Sequence, residues 1–293
     1  MVKPVDYKQG DYRWGGLPYA VDGEKSTIKS AGCGPTSLAD VLAAIVSPYI
    51  DPITLASWAR QHGYKVKASG TAYSFFVPCA AWYGVNVRRL TASNSYGNAK
   101  APVHEIVRQE LINGNWVIAC MGPGVWTKGG HYIVAYGYKE GNVYINDPAS
   151  TADKRACNSF TTFSSQVKQY WVVDVPDAVK NCGICKDGEY YKEDFVREVQ
   201  LCTGSKLDGD PGPLTLSKTV TVSSTKNRKH YVVMPLQKLL KKKGMYTGEL
   251  DKSAGPLFTS AVNKYQTDVL RYIKLDGEIT AKGKMWRSLL GLV

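Results

Sequence analysis

The sequence predicts an α+β domain followed by a mainly α-helical one. Its 293 residues exceed the ~100–150 typical of a single domain. Up to about residue 175, two windows of helical periodicity precede runs of β-type residues, and beyond it short Lys-rich amphipathic stretches alternate with Asp-Gly turns. These changes of character place a first domain at 1–176, a polar linker at 177–189 and a second domain at 190–293.

In the first domain, window 35–46 sets Leu38, Val41, Leu42 and Ile45 on one helical face, and Ser47-Pro48 ends it. Window 102–112 does the same with Val103, Ile106, Val107 and Leu111, stopped by Asn113-Gly114. Strand-like runs follow at 116–120, 131–138, 143–146 and 170–175. The second and third of these are joined by 139–142, the signature of a hairpin. Beyond the linker, FVREVQ (195–200) leads to KLDGDPGPLT (206–215) and AVNKYQ (261–266) leads to KLDGEIT (274–280). Between them, 235–251 has the same helix-then-turn grammar, so small helical units packed on one another are expected.

Composition narrows the class. With 44% hydrophobic and 21% charged residues, and no window of ~20 uninterrupted apolar residues, membrane insertion is not expected. The N-terminus lacks the apolar core of a secretory signal. Seven cysteines in a long chain are compatible with a reducing compartment and leave at least one free thiol. The net charge of +12 is concentrated towards the C-terminus, with 19 basic and 12 acidic residues from Lys186 onward, and favours polyanionic partners. A nucleic-acid role is not expected: Lys241, Lys242 and Lys243 end an amphipathic run, where they complement a helix dipole. Cys182 and Cys185 form one CxxC with no second pair for zinc, so neither metal nor cofactor is expected.

The chemistry centres on three residues. Cys33, in AGCGPTSLADVLAAI, stands where a helix N-terminus would stabilise its thiolate and free its N–H for an oxyanion. Gly32 and Gly34 allow a sharp turn there, and Pro35 suits the first helical position. Of four histidines, only His131 opens a strand after a small-residue pair, Gly129-Gly130. Asp147, in VYINDPAS, lies one hairpin away and is placed to orient the imidazole. With a three-residue loop at 140–142, Lys139 pairs with Val143 and Asp147 shares a face with His131; a two-residue turn would separate them. Taken singly, each of the three has a commonplace structural use, and their joint occurrence on suitable elements favours catalysis. Trp14 and Trp126 flank the motif segments and are candidates to line a substrate groove.

The order QGDYRW (9–14), GCGPTS (32–37), GGHYIVAYGY (129–138) and INDPAS (145–150) resembles papain-like cysteine peptidases of the double-glycine, bacteriocin-processing group. The resemblance covers about 5–175. It implies a helix carrying Cys33 packed on an antiparallel sheet carrying His131 and Asp147, with Cys33 as nucleophile, His131 as base and Asp147 as its orienting partner. It also implies an upstream oxyanion-hole glutamine, for which Gln9 is the nearest candidate. Transporter-linked members carry that glutamine six residues before the cysteine, where this chain has Thr27. Residues 190–291 resemble the peptidoglycan-binding helical domain of clostridial cell-wall hydrolases and phage endolysins, departing from it at Asp251-Lys252, where such domains often have Asp-Gly.

The combination implies a peptidoglycan hydrolase of the bacteriophage endolysin type, resident in the host cytoplasm and acting on the wall once a partner protein opens a path. Its partners would be peptidoglycan and anionic wall polymers, and its reaction cleavage of a peptide amide. Hydrolysis of the N-acetylmuramoyl-L-alanine bond by the same triad, or wall binding without catalysis, are the competing expectations. The oligomeric state is left open by the sequence.

Overall fold

The computed structural model describes residues 1–91 and 97–293. The chain divides into two compact units, Met1–Gly188 and Glu189–Val293. The first is a papain-like α+β unit and the second is mainly α-helical.

One antiparallel sheet organises the first unit. Its strands are β1 (Val87–Arg89), β2 (Trp116–Met121), β3 (His131–Lys139), β4 (Asn142–Asn146), β5 (Cys157–Ser159) and β6 (Val167–Val173), in the spatial order β1-β6-β2-β3-β4-β5. Strand β2 is buried along its whole length, which is why its sequence is a continuous apolar run rather than an alternation. On one face Val117, Ala119, Ile133 and Ala135 form a core with Val107 and Leu111 of the helix Ala101–Ile112 and with Trp126 and Phe163. Elsewhere Trp171 and Tyr132 pack around Phe76, with ring centroids 4.5 and 4.9 Å away.

The helix Cys33–Ile45 packs against β2, β3 and the helix Pro52–Gln61. The expected single apolar face understates its burial, since every position from Gly34 to Ala44 is covered, including Thr36, Ser37 and Asp40. A carboxylate so placed needs a partner. Asp40 Oδ1 accepts the N–H of Tyr7 at 2.7 Å. Burial nevertheless raises its pKa well above the usual carboxylate range, which favours the neutral form.

Tyr7 belongs to an N-terminal strap that runs over both helix and sheet. The Val2 carbonyl accepts from Trp116 Nε1 on β2 at 3.1 Å, and the Val5 carbonyl accepts from Asn146 Nδ2 on β4 at 2.9 Å. Further along, Lys8 Nζ donates to the Asp147 carbonyl at 2.9 Å and the Gln9 N–H to the Pro148 carbonyl at 2.9 Å. The strap thereby ties together the elements that carry Cys33 and Asp147.

The β3–β4 hairpin differs from the expected three-residue loop. Lys139 pairs with Asn142, leaving a two-residue turn of Glu140 and Gly141, both with positive φ (51° and 82°). Alone, that turn would set His131 and Asp147 on opposite faces. A register shift between Ala135 and Gly137, where Tyr136 is left over as a bulge, moves the pairing by one residue and restores the shared face. Residues 177–188, read from sequence as linker, contain the helix Asp177–Cys182 and join the first unit, with the Cys185 N–H donating to the Ala44 carbonyl at 2.7 Å.

In the second unit one device occurs three times. A buried glutamine on a helix closes the loop that follows. Gln200 Nε2 donates to Asp208 Oδ1 (2.7 Å) and the Asp210 carbonyl, Gln237 Nε2 to Asp251 Oδ1 (2.7 Å) and the Ser253 carbonyl, and Gln266 Nε2 to Asp276 Oδ1 (2.6 Å) and the Glu278 carbonyl. Each aspartate also accepts the N–H two residues on. The intervening residue is left-handed every time: Gly209 (φ 75°), Lys252 (φ 58°) and Gly277 (φ 63°). Lys252 thus keeps the turn that its sequence disfavours, with its Nζ 4.0 Å from the Tyr231 ring centroid. Between the first two helices lies a fully buried ion pair, Lys238 Nζ to Glu198 at 3.0 Å, which also accepts from Tyr190 Oη at 2.8 Å.

Candidate active site

Cys33 begins the helix Cys33–Ile45, and Pro35 is its third residue rather than its first. The flanking glycines are needed for space, not for unusual dihedrals, since neither has positive φ. A Cβ on Gly32 would lie 2.5 Å from the Ile28 carbonyl oxygen, and one on Gly34 would lie 2.7 Å from Thr71 Oγ1. Thr71 is itself held by Tyr19 Oη at 2.8 Å and, through its carbonyl, by Tyr132 Oη at 2.8 Å. This close approach brings the segment 68–72 against the thiol as one wall of a cavity of about 650 Å³. Cys33, Tyr73, Cys120, His131, Tyr132 and Lys168 line the rest.

His131 is the first residue of β3, and its Nε2 lies 2.7 Å from Asp147 Oδ1. Cys33 bears on the same imidazole and, like Asp147, favours its charged form. Burial opposes a charge on the imidazole, yet the bonds from Asp147 and Cys33 outweigh it and hold the pKa up at about 9. For Cys33, burial likewise opposes the thiolate, but His131 and the backbone N–H groups of Tyr132 and Gly34 bring the thiol below its ordinary value. Each shift favours the charged form of its group, the thiolate of Cys33 and the imidazolium of His131.

Asp147 is buried and multiply held. Its Oδ1 also accepts the Ala149 N–H at 2.8 Å, and its Oδ2 lies 2.6 Å from Arg155 Nε in an ion pair without hydrogen-bond alignment. Arg155 escaped the sequence analysis, because nothing in its local sequence marks a residue that reaches back across a loop to a carboxylate.

The remaining candidates lie elsewhere. Trp14 is fully buried, its Nε1 donating to the Lys8 carbonyl, and Trp126 is 3% exposed, its Nε1 donating to the Arg155 carbonyl. Both are core side chains with satisfied indoles and do not line a groove. Gln9 is buried beside the Asp-Pro loop, where Nε2 donates to the Lys29 carbonyl at 2.6 Å. It lines a separate cavity of about 270 Å³ and is not brought into the one containing Cys33. Among the described residues no group of three or more His, Cys, Asp or Glu is arranged to hold a metal ion, and Cys182 and Cys185 are free thiols.

No curated protein matches the chain. Among solved structures, a C39-like peptidase from Bacillus anthracis is 16% identical with a TM-score of 0.37, covering 60% of this chain and 98% of its own. The peptidase domain of Streptococcus ComA, a bi-functional ABC transporter of a quorum-sensing pathway, is 19% identical with a TM-score of 0.35, covering 60% and 100%. A double glycine motif protease from an AMS/PCAT transporter, solved with its leader peptide, is 19% identical with a TM-score of 0.34 and the same coverage. The assignment rests on the sequence: residues 17–175 match the family model, and the chain belongs to the Peptidase_C39 like family of cysteine peptidases.

Proposed function

We propose that the chain is a peptidoglycan hydrolase of the endolysin type, cleaving an amide in the peptide part of the Gram-positive wall while its second unit holds the wall. The observation that carries the chemistry is the Cys33–His131–Asp147 relay opening on a cavity of about 650 Å³. The Cys33 thiolate attacks the amide carbonyl, and the Cys33 N–H at the helix start donates to the developing oxyanion. His131, charged beforehand, gives its proton to the leaving amine. The now neutral ring takes a proton from water, which attacks the acyl-enzyme and releases Cys33. Asp147 holds the ring through Nε2 throughout, leaving Nδ1 to serve the sulfur.

The wall assignment is supported by the resemblance of residues 190–291 to peptidoglycan-binding domains and by the concentration of positive charge there. Tethering makes the second encounter with a solid substrate effectively intramolecular. The test is digestion of purified Gram-positive peptidoglycan by the parent and by Cys33→Ala, with mass spectrometry of the soluble fragments. Fragments from the parent alone are expected, and their new amine termini distinguish endopeptidase from muramoyl-alanine amidase. Walls left intact by both proteins, with cleavage of a double-glycine peptide by the parent, would replace this assignment by leader-peptide processing.

A further inference from the structure

The cavity of Cys33 and His131 contains a second basic group that no step above uses. Lys168, the second residue of β6, lines it. Its stem passes over Gly122, where a Cβ would lie 2.9 Å from Lys168 Cε, so bare backbone after β2 makes room for the side chain. Burial pushes the neighbouring Cys120 thiol up to about 11 against a smaller opposing pull from the Lys168 ammonium, which therefore lies within electrostatic reach of the cavity wall.

Charge balance in the cavity is one-sided. Lys168 has no ion-pair partner among the described residues, and no aspartate or glutamate lines the cavity. Residues 92–96, outside the described residues, contain no carboxylate in their sequence. Lys65 and Lys8, by contrast, each have a carboxylate within 3 Å. The other lining groups at 68–72 are small and uncharged. We infer that Lys168 is a specificity determinant, selecting substrates that carry a carboxylate close to the scissile amide. Peptides with free carboxylates meet this requirement, and a neutral glycine pair does not. The inference rests on Cys33 being the nucleophile.

Alkylation of the full chain with iodoacetate and iodoacetamide, read by mass spectrometry at Cys33, tests it without a substrate. Lys168→Gln should lower the iodoacetate-to-iodoacetamide rate ratio by about fivefold or more at low ionic strength, leaving the iodoacetamide rate unchanged, and Lys168→Arg should restore it. In parallel, wall whose carboxylates have been amidated should be cut more slowly than untreated wall by the parent, with the difference lost in Lys168→Gln. An unchanged ratio in Lys168→Gln would overturn the inference and leave the cysteine mechanism intact. Cys33 reacting no faster than the exposed Cys157 with either reagent would remove the nucleophile, and the inference with it.

Discussion

The two units solve the problem of holding a loop in opposite ways. In the second, a helix glutamine closes a loop within 8 to 16 residues along the chain, and the same local device is used three times. In the first, the relay joins Cys33 to His131 and Asp147 across the fold, and depends on a turn and a bulge that offset each other. A local, repeated device tolerates drift in one copy, as Lys252 shows. A single long-range one does not.

Deleting Tyr136 should break the first arrangement outright. Without the bulge His131 and Asp147 part to opposite faces, so wall hydrolysis should vanish and Cys33 should alkylate at the rate of an ordinary thiol, with melting of the second unit unchanged. A smaller effect is expected from Asp147→Asn, which should lower kcat/KM about 10²-fold or more. Its diagnostic readout is pH. His131 is raised to about 9, so the charge it contributes, and the stability linked to it, is fully present below the ordinary ~6.5 and lost as pH rises through about 9. In Asp147→Asn the alkaline limb of the activity profile should move down towards ~6.5.

For the second unit, Lys238→Ala should cost ~3–5 kcal/mol in denaturant unfolding because Glu198 is left buried and unpaired. Lys238→Met paired with Glu198→Gln should recover much of that loss. The smallest change tests the drifting copy. Lys252→Gly relieves the left-handed strain but gives up the contact with Tyr231, and should stabilise by about 0.5–1 kcal/mol. Destabilisation instead would mean that the ring contact outweighs the backbone.

Legibility in the sequence followed the same division. The helix of Cys33, the strand of His131 and the Asp147 hairpin were readable because periodicity, small-residue pairs and turn residues are local signals. The helix-turn repeat was readable for the same reason, although the glutamine that closes each loop was not singled out. What could not be read depends on distant partners. The bulge at Tyr136 is set by neighbouring strands, the pairing of Arg155 with Asp147 by the return of a loop, and the burial of Trp14 and Trp126 by what packs over them. Gly32 and Gly34 read as turn glycines in the sequence, whereas the approach of Ile28 and Thr71, not dihedral freedom, is what leaves no room for a side chain there.

The strap at residues 2–9 bears on how this enzyme unit could be moved between proteins. The family match begins at residue 17, after the strap has already bonded to β2, β4, the Cys33 helix and the Asp-Pro loop. A graft cut to the matched boundaries would keep Cys33, His131 and Asp147 and lose the clasp between the parts that carry them. Anyone building chimaeras from this unit should treat its opening residues as part of the cartridge and attach new modules after Gly188, where the first compact unit ends.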